Sequence, residues 1–358
     1  MIKKQEKYLV KPMFSKNHYR VRFNPNIKRL PAEWERQECV MVAYPHEKSD
    51  WVCCLDDVKK TYKDIIKAIS KYEKCLVICD DIGSIKSELK EIENSNIIYT
   101  QAKINDTWIR DYGAIDIFAN DKIISYDFIF NGWGEKFDSK LDNELNSTLY
   151  KKGVFSNELR KIDMVLEGGS IDTNGKGVLL TTSKCLLNPN RNPKLSKEQI
   201  EKKLKNLFGL DKIIWLKNGS LMGDDTDSHI DTIARFLDRD TIAYVKCYDK
   251  NDEHFKELSK MEKELKKTSF KLIPLPLPHP IYYKGERLPA TYLNFLFINN
   301  ALLLPVYNDK YDQKAIEILK NFYPKLDIIP IDSTILIREH GSLHCSTMQR
   351  MVRLRGEE

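Results

Sequence analysis

HIDTIARFLDRDTIAYVKCYDKNDEHFKELSKMEKELKKTSFKLIPLP, residues 229–276, decides the fold. Two apolar strand-like runs meet near Arg239-Asp240, an amphipathic helical stretch follows over 253–268, and one short apolar strand closes the unit at 270–276. The same order returns downstream. YLNFLFINNALLLPVYND (292–309) bends at Asn299-Asn300, a turn-favouring pair, and leads to DQKAIEILKNFY (312–323) and then LDIIPID (326–332). Upstream, helical stretches at 55–72, 139–153 and 196–209 each precede one short apolar strand: KCLVICD, KIDMVLE and KIIWLKN.

The last three units recur roughly every 50–60 residues, a period that belongs to stacked or propeller-like arrays. The first two are longer because of polar insertions around NGWGEKFDSK. No Pro/Gly/Ser-rich linker divides them, so the expectation is one α/β domain, residues 1–358, built from about five strand-strand-helix-strand modules. Residues 1–29 are read as an N-terminal extension or edge segment. A doubly wound sheet is the competing architecture. It needs a glycine-rich phosphate loop between strand and helix, and the nearest candidate, EGGSIDTNGKGV, runs into a strand instead.

Composition narrows the function classes. The net charge of +6 comes from lysines spread along helical faces such as EKKLKNLF, where Glu alternates with Lys, and not from the concentrated basic patch that nucleic acid requires. No window approaches the ~18 uninterrupted apolar residues of a membrane span, and MIKKQEKYLVKPMF lacks the apolar core of a signal peptide. A cytoplasmic location is expected, with no nucleic-acid or membrane partner. Disulfides are not expected among the eight cysteines, and no C-x-x-C pair suggests zinc. Cys39, Cys75, Cys79 and Cys247 sit in apolar strands as small hydrophobes.

Three polar motifs lack a structural reason. MGDDTDSHIDTIARF (222–236), read as a strand, places Asp225, Asp227, His229 and Asp231 on one face. A calcium loop does not fit it, because its glycine and terminal glutamate fall at the wrong positions. NDTWIRDYGAIDIF (105–118) gathers Asp106, Trp108, Arg110 and Asp111 before an apolar strand, and VLEGGSIDTNG (165–175) places Glu167 before two glycines that permit a sharp turn or a close approach. In IREHGSLHCSTMQRM (337–351), His340 and His344 are one helical turn apart, but Gly341 replaces the general-base glutamate of a zinc protease. The polar surroundings of Cys345 suggest a partly exposed thiol. One thiol, one imidazole and several carboxylates suit a planar cationic substrate, and the guanidinium group fits: carboxylates hold its paired N–H donors while sulfur attacks the central carbon.

Together LPAEWERQECVMVAYP, NDTWIRDYG, LEGGSID, LLNPNRNP, TDSHIDTIARF and GSLHCSTMQ resemble the agmatine deiminase / bacterial peptidylarginine deiminase family, in order from about residue 30 to 350. The resemblance implies the pentein fold, a propeller of five ββαβ modules about a pseudo-fivefold axis. It also implies hydrolysis of agmatine to N-carbamoylputrescine and ammonia, a step of putrescine and polyamine biosynthesis, without metal or organic cofactor. Carried over by motif, Cys345 is the nucleophile, His229 and Asp231 form the H-x-D pair, Glu167 precedes the paired glycines, and Asp111 ends W-x-R-D. Asp111 and Asp231 would clamp the guanidinium, Glu167 would hold a further N–H and orient the site, and His229 would act first as acid and then as base.

Trp108 either lines the substrate's methylene chain or fills the core, and Asp225 either reaches the substrate or caps a turn. Common agmatine deiminases resemble G-G-G-N-I-H-C and G-H-V-D-N where this chain has HGSLHC and SHIDT, so the residues meeting the far end of the substrate differ. The alternatives are a deiminase of peptidylarginine or another small guanidino compound, and a catalytically silent pentein that binds a cation or a partner protein. A homo-oligomer, dimer or tetramer, is compatible with the sequence.

Overall fold

The structure, a computed structural model, describes residues 28–120 and 122–352. Five blades share one plan: an antiparallel strand pair, a helix that crosses over, and a third strand parallel to the second. The second blade pairs Ile115–Ala119 with Lys122–Ile129 and adds Glu158–Val165. The third uses Ile171–Thr173, Val178–Thr182 and Lys212–Leu216. The fourth uses Ala234–Asp238, Thr241–Lys246 and Lys271–Pro276, and the fifth Leu296–Ile298, Ala301–Val306 and Asp327–Asp332. The repeat read in the last three units of the sequence is therefore present, and it extends to all five.

The first blade is completed from the other end of the chain. Gln37–Ala43 runs parallel to Lys74–Cys79, and its antiparallel partner is Thr347–Met351. The ring is thus closed by hydrogen bonds between its first and last strands, which gives the strand after Cys345 a fixed place. First strands of neighbouring blades touch, Thr347–Met351 against Ile115–Ala119 and Ile171–Thr173 against Ala234–Asp238, so they line the inside of the ring.

Local sequence explains the outer helices. Leu55–Ser70 buries Val58, Tyr62, Ile65, Ile66 and Ile69, one stripe at helical spacing, and turns its lysines outward. Lys197–Phe208 is opened by a capping box between Ser196 and Gln199 and closed by Gly209 in the left-handed conformation. Among the described residues no helix is long and apolar enough to cross a membrane. All eight cysteines are free. Cys39, Cys75, Cys79 and Cys247 are buried, as expected of packing thiols.

One local expectation fails. Residues 222–233 are not a strand: Asp227 and Ser228 have φ of 65° and 71°, and Ile230–Thr232 is a single 3-10 turn, with the strand beginning at Ala234. Successive acids in this segment would repel one another on a single strand face. The irregular backbone sends them to different partners. Asp227 pairs with Arg191 and Lys136, Asp224 accepts from the backbone of Thr226 and Ser228, and only His229 and Asp231 turn inward.

Candidate active site

Each candidate residue occupies the same place in its blade, the turn that enters the first strand. Asp111 lies in the short helix Ile109–Tyr112 before Ile115–Ala119, and Glu167 precedes Ile171–Thr173. His229 and Asp231 precede Ala234–Asp238, Asn294 precedes Leu296–Ile298, and Cys345 precedes Thr347–Met351. Because the first strands line the ring, the five turns converge at one end of its axis.

Gly169 locates the centre of that convergence. A Cβ built there would lie 2.6 Å from His229 Nδ1, 2.9 Å from Asp111 Oδ1 and 3.1 Å from Asp231 Oδ2. Only glycine leaves room for the three groups, the close approach anticipated for the glycine pair. Its own N–H donates to Asp111 Oδ1 at 2.9 Å, while the indole N–H of Trp133 donates to Asp111 Oδ2 at 2.9 Å. Asp111 Oδ1 is 3.7 Å from His229 Nδ1.

Cys345 adjoins this group through Asp231. Its Sγ is 4.0 Å from Asp231 Oδ2 and 3.4 Å from Asn294 Nδ2, and its backbone N–H donates to Asn294 Oδ1 at 3.3 Å. The thiol is buried, with Cys345 only 6% exposed, and not partly exposed as its polar neighbours suggested. Those neighbours have turned to one another: Ser346 donates to the Ser342 carbonyl, Tyr307 and Ser342 share a hydrogen bond, and Thr347 donates to the His344 carbonyl. Local polarity was satisfied internally rather than by water.

The electrostatics derive from burial and neighbours. Burial pushes the Cys345 thiol well above its ordinary value, and the charges of Asp231 and Asp111 push it further. Burial alone would lower His229, but Asp111, Cys185 and Glu167 outweigh it and hold the imidazole protonated well above the usual histidine range. Burial alone would raise Asp231, but His344, His229 and Arg235 overcome it and keep the carboxylate ionised. Glu167 is pushed up by burial against the pull of Arg191, whose Nε lies 2.9 Å from Oε1. Among the described residues neither ring nitrogen of His229 has a hydrogen-bond partner, and neither has Asp231 Oδ1, although both residues are fully buried.

Trp108 is buried, 5.6 Å from the Trp51 ring and close against Gly341. Asp225 is half-buried; burial raises its carboxyl and His340 opposes this. His340 Nδ1 meets the Gly223 carbonyl at 2.7 Å while His344 Nδ1 meets Asp231 at 2.7 Å, so the two histidines serve different partners. The acid, imidazole and thiol groups Glu167, His229 and Cys185 could together hold a metal ion, although Glu167 already accepts from Arg191.

Five residues here had not been singled out: Asn294, Glu33, Trp133, Arg191 and Cys185; His344 had been, but only as half of a histidine pair with His340. Asn294 was findable, since aligning the five modules puts it where the other four blades carry Asp111, Glu167, Asp231 and Cys345. Glu33 and Trp133 were not, because their partners lie far away in sequence.

A ring of five ββαβ blades is the pentein fold, and the agmatine deiminases that the chain resembles make it a hydrolase of carbon–nitrogen bonds. The chain belongs to the Porphyromonas-type peptidyl-arginine deiminase family, whose model matches residues 29–350. A cysteine-to-serine form of C. jejuni agmatine deiminase, solved with substrate bound, is 50% identical with a TM-score of 0.89, covering 92% of this chain and 98% of its own. The Enterococcus faecalis agmatine deiminase is 26% identical with a TM-score of 0.83, covering 91% and 96%. A Legionella pneumophila (strain Paris) protein provisionally named agmatine deiminase is 34% identical over 331 residues, covering 90% of this chain and 94% of its own.

Proposed function

We propose that the protein is an agmatine deiminase, converting agmatine and water to N-carbamoylputrescine and ammonia in putrescine synthesis. The observation that carries this reading is the meeting of His229, Asp231 and Asp111 at Gly169, with the Cys345 sulfur 4.0 Å from Asp231 Oδ2. A planar guanidinium placed between Asp111 and Asp231 would gain charge-assisted hydrogen bonds from both sides and present its central carbon to Cys345 Sγ. The substrate cation offsets the two carboxylate charges that raise the thiol, so binding itself favours the thiolate.

Attack gives a tetrahedral adduct. His229, protonated at the start, gives its proton to the departing ammonia and leaves a thiouronium on Cys345. The neutral imidazole then takes a proton from water, which attacks the same carbon. Collapse expels the sulfur and releases the carbamoyl product. Glu167, gripped by Arg191 beside His229, adds a negative charge that favours the protonated imidazole and keeps a lone pair for a guanidinium N–H. This sequence draws on protein side chains alone, without a metal or organic cofactor.

Farther out, Asp50, Asp106, Asp225 and Glu339 act on one another near Trp108, with His340, Lys284 and Lys136 as their cationic neighbours. The L. pneumophila, C. jejuni and E. faecalis names support agmatine as the substrate. Ammonia release measured side by side with agmatine, free arginine and a blocked arginine peptide is the test. Preference for agmatine by at least tenfold in kcat/KM is expected. Turnover of the peptide alone would replace this reading by a peptidylarginine deiminase, and no turnover of any would leave a binding role.

A further inference from the structure

His344, immediately before the nucleophile, is pinned between two carboxylates. Its Nδ1 lies 2.7 Å from Asp231 Oδ2 and its Nε2 lies 2.6 Å from Glu33 Oε2. All three residues are buried. Glu33 is itself held rigidly: Oε1 accepts the Phe297 backbone N–H at 2.8 Å, and Oε2 faces Arg235 Nη2 at 3.1 Å and Arg110 Nη2 at 3.6 Å. Ionised carboxylate oxygens only accept, so an imidazole between two of them must donate from both nitrogens.

Glu33, Asp172 and Asp231 are three buried acids that face the guanidinium groups of Arg110 and Arg235 and the imidazole of His344. With both nitrogens engaged, His344 has none left for the substrate. It acts on chemistry only through Asp231.

The division of labour at Asp231 gives that action its meaning. Oδ2 accepts from His344 and from Asn294 Nδ2 at 3.2 Å, whereas Oδ1, in a fully buried residue, has no partner among the described residues. A carboxylate with one saturated oxygen cannot rotate freely, and its bare oxygen is the one left for a ligand. We propose that Glu33 and His344 are positioning residues, hydrogen-bonded in series, that lock the Asp231 carboxylate so that Oδ1 is presented to the guanidinium. The lock is anchored on the backbone of the fifth blade's first strand, and it rests on the guanidinium reading of the site.

A double-mutant cycle on ligand binding tests it. Agmatine affinity is measured by calorimetry in chains that all carry Cys345→Ser, so that turnover does not intervene. His344→Gln, which can donate to one carboxylate but not to both, is expected to weaken binding about tenfold when Asp231 is present. In the Asp231→Asn background the same change is expected to alter affinity less than twofold, because the group it acts through has gone. No weakening in the first background, or equal weakening in both, overturns the proposal. Should His344→Gln fail to fold by circular dichroism, Glu33→Gln is put through the same cycle, with a smaller but equally non-additive loss expected. Ammonia release by the unmodified chain is measured separately. If agmatine is not turned over but another guanidinium compound is, that compound replaces agmatine in the cycle and only the substrate assignment has failed. Binding of no guanidinium compound overturns both.

Discussion

Alanine at Gly169 adds one methyl group at the point where three candidate catalytic side chains meet. The new Cβ would stand 2.6 Å from His229 Nδ1, where ordinary contact begins near 3.4 Å, so a relative displacement of about 0.8 Å is needed, the difference between the two. Asp111 Oδ1 and Asp231 Oδ2, at 2.9 and 3.1 Å, close the other directions of escape. Overpacking of this kind costs about 1–3 kcal/mol of stability, which a protein of this size tolerates. Activity is more sensitive, since a misplacement near 1 Å at a reacting centre costs roughly 100-fold. The expected result for Gly169→Ala is therefore a folded protein whose kcat/KM for agmatine falls about 100-fold. Continuous ammonia detection gives the rate, and a thermal melt gives the stability. Gly153→Ala is the control: Gly153 has a positive φ, of 71°, which Gly169 does not, and a Cβ there meets nothing within 4 Å, so it can lose stability without losing rate. If Gly169→Ala retains activity within threefold of the unmodified chain, the three groups do not converge on a reacting centre and the reasoning fails.

Asp111→Asn keeps the shape of the site but turns an amide N–H toward either the Gly169 N–H or the Trp133 indole N–H, and removes one charge from the clamp. Such losses beside a desolvated cation cost about 2–5 kcal/mol, so kcat/KM should fall roughly 30-fold or more, whereas neutralising exposed lysines of Leu55–Ser70 should change it little. His229→Ala should allow attack but stall ammonia departure and hydrolysis of the intermediate, and mass spectrometry of quenched protein should find the substrate-derived adduct on Cys345; normal turnover by this variant would make the histidine structural. Burial, Asp231 and Asp111 all raise the Cys345 thiol, so in the empty site its alkylation by iodoacetamide, monitored on the Cys345 peptide, should still be climbing above pH 9. Removing a nearby negative charge lowers a thiol pKa, so Asp111→Asn should move that rise to lower pH. A plateau near neutrality in the unmodified chain would contradict the assigned electrostatics.

The sequence by itself determined the module and its number. Hairpin, helix and strand are local objects: apolar alternation, the Asn299-Asn300 bend and the stripe of Val58, Tyr62, Ile65 and Ile69 are all written within one stretch of chain. It also marked the candidate residues, because Cys345, His229, Asp231, Glu167 and Asp111 stand in short motifs at strand entrances. What the tertiary structure decided was everything that depends on closing the ring. Pairing of Thr347–Met351 with Gln37–Ala43 joins the two ends of the described chain and brings Glu33 to His344, a contact between residues 311 positions apart that no local pattern encodes. It also buried a thiol whose neighbours are polar, since those neighbours found partners in one another instead of in water. The strand expected over 222–236 failed for a related reason. Alternation places side chains on a face, but like charges on that face had partners elsewhere, Arg191 and Lys136 among them, and the backbone turned to reach them.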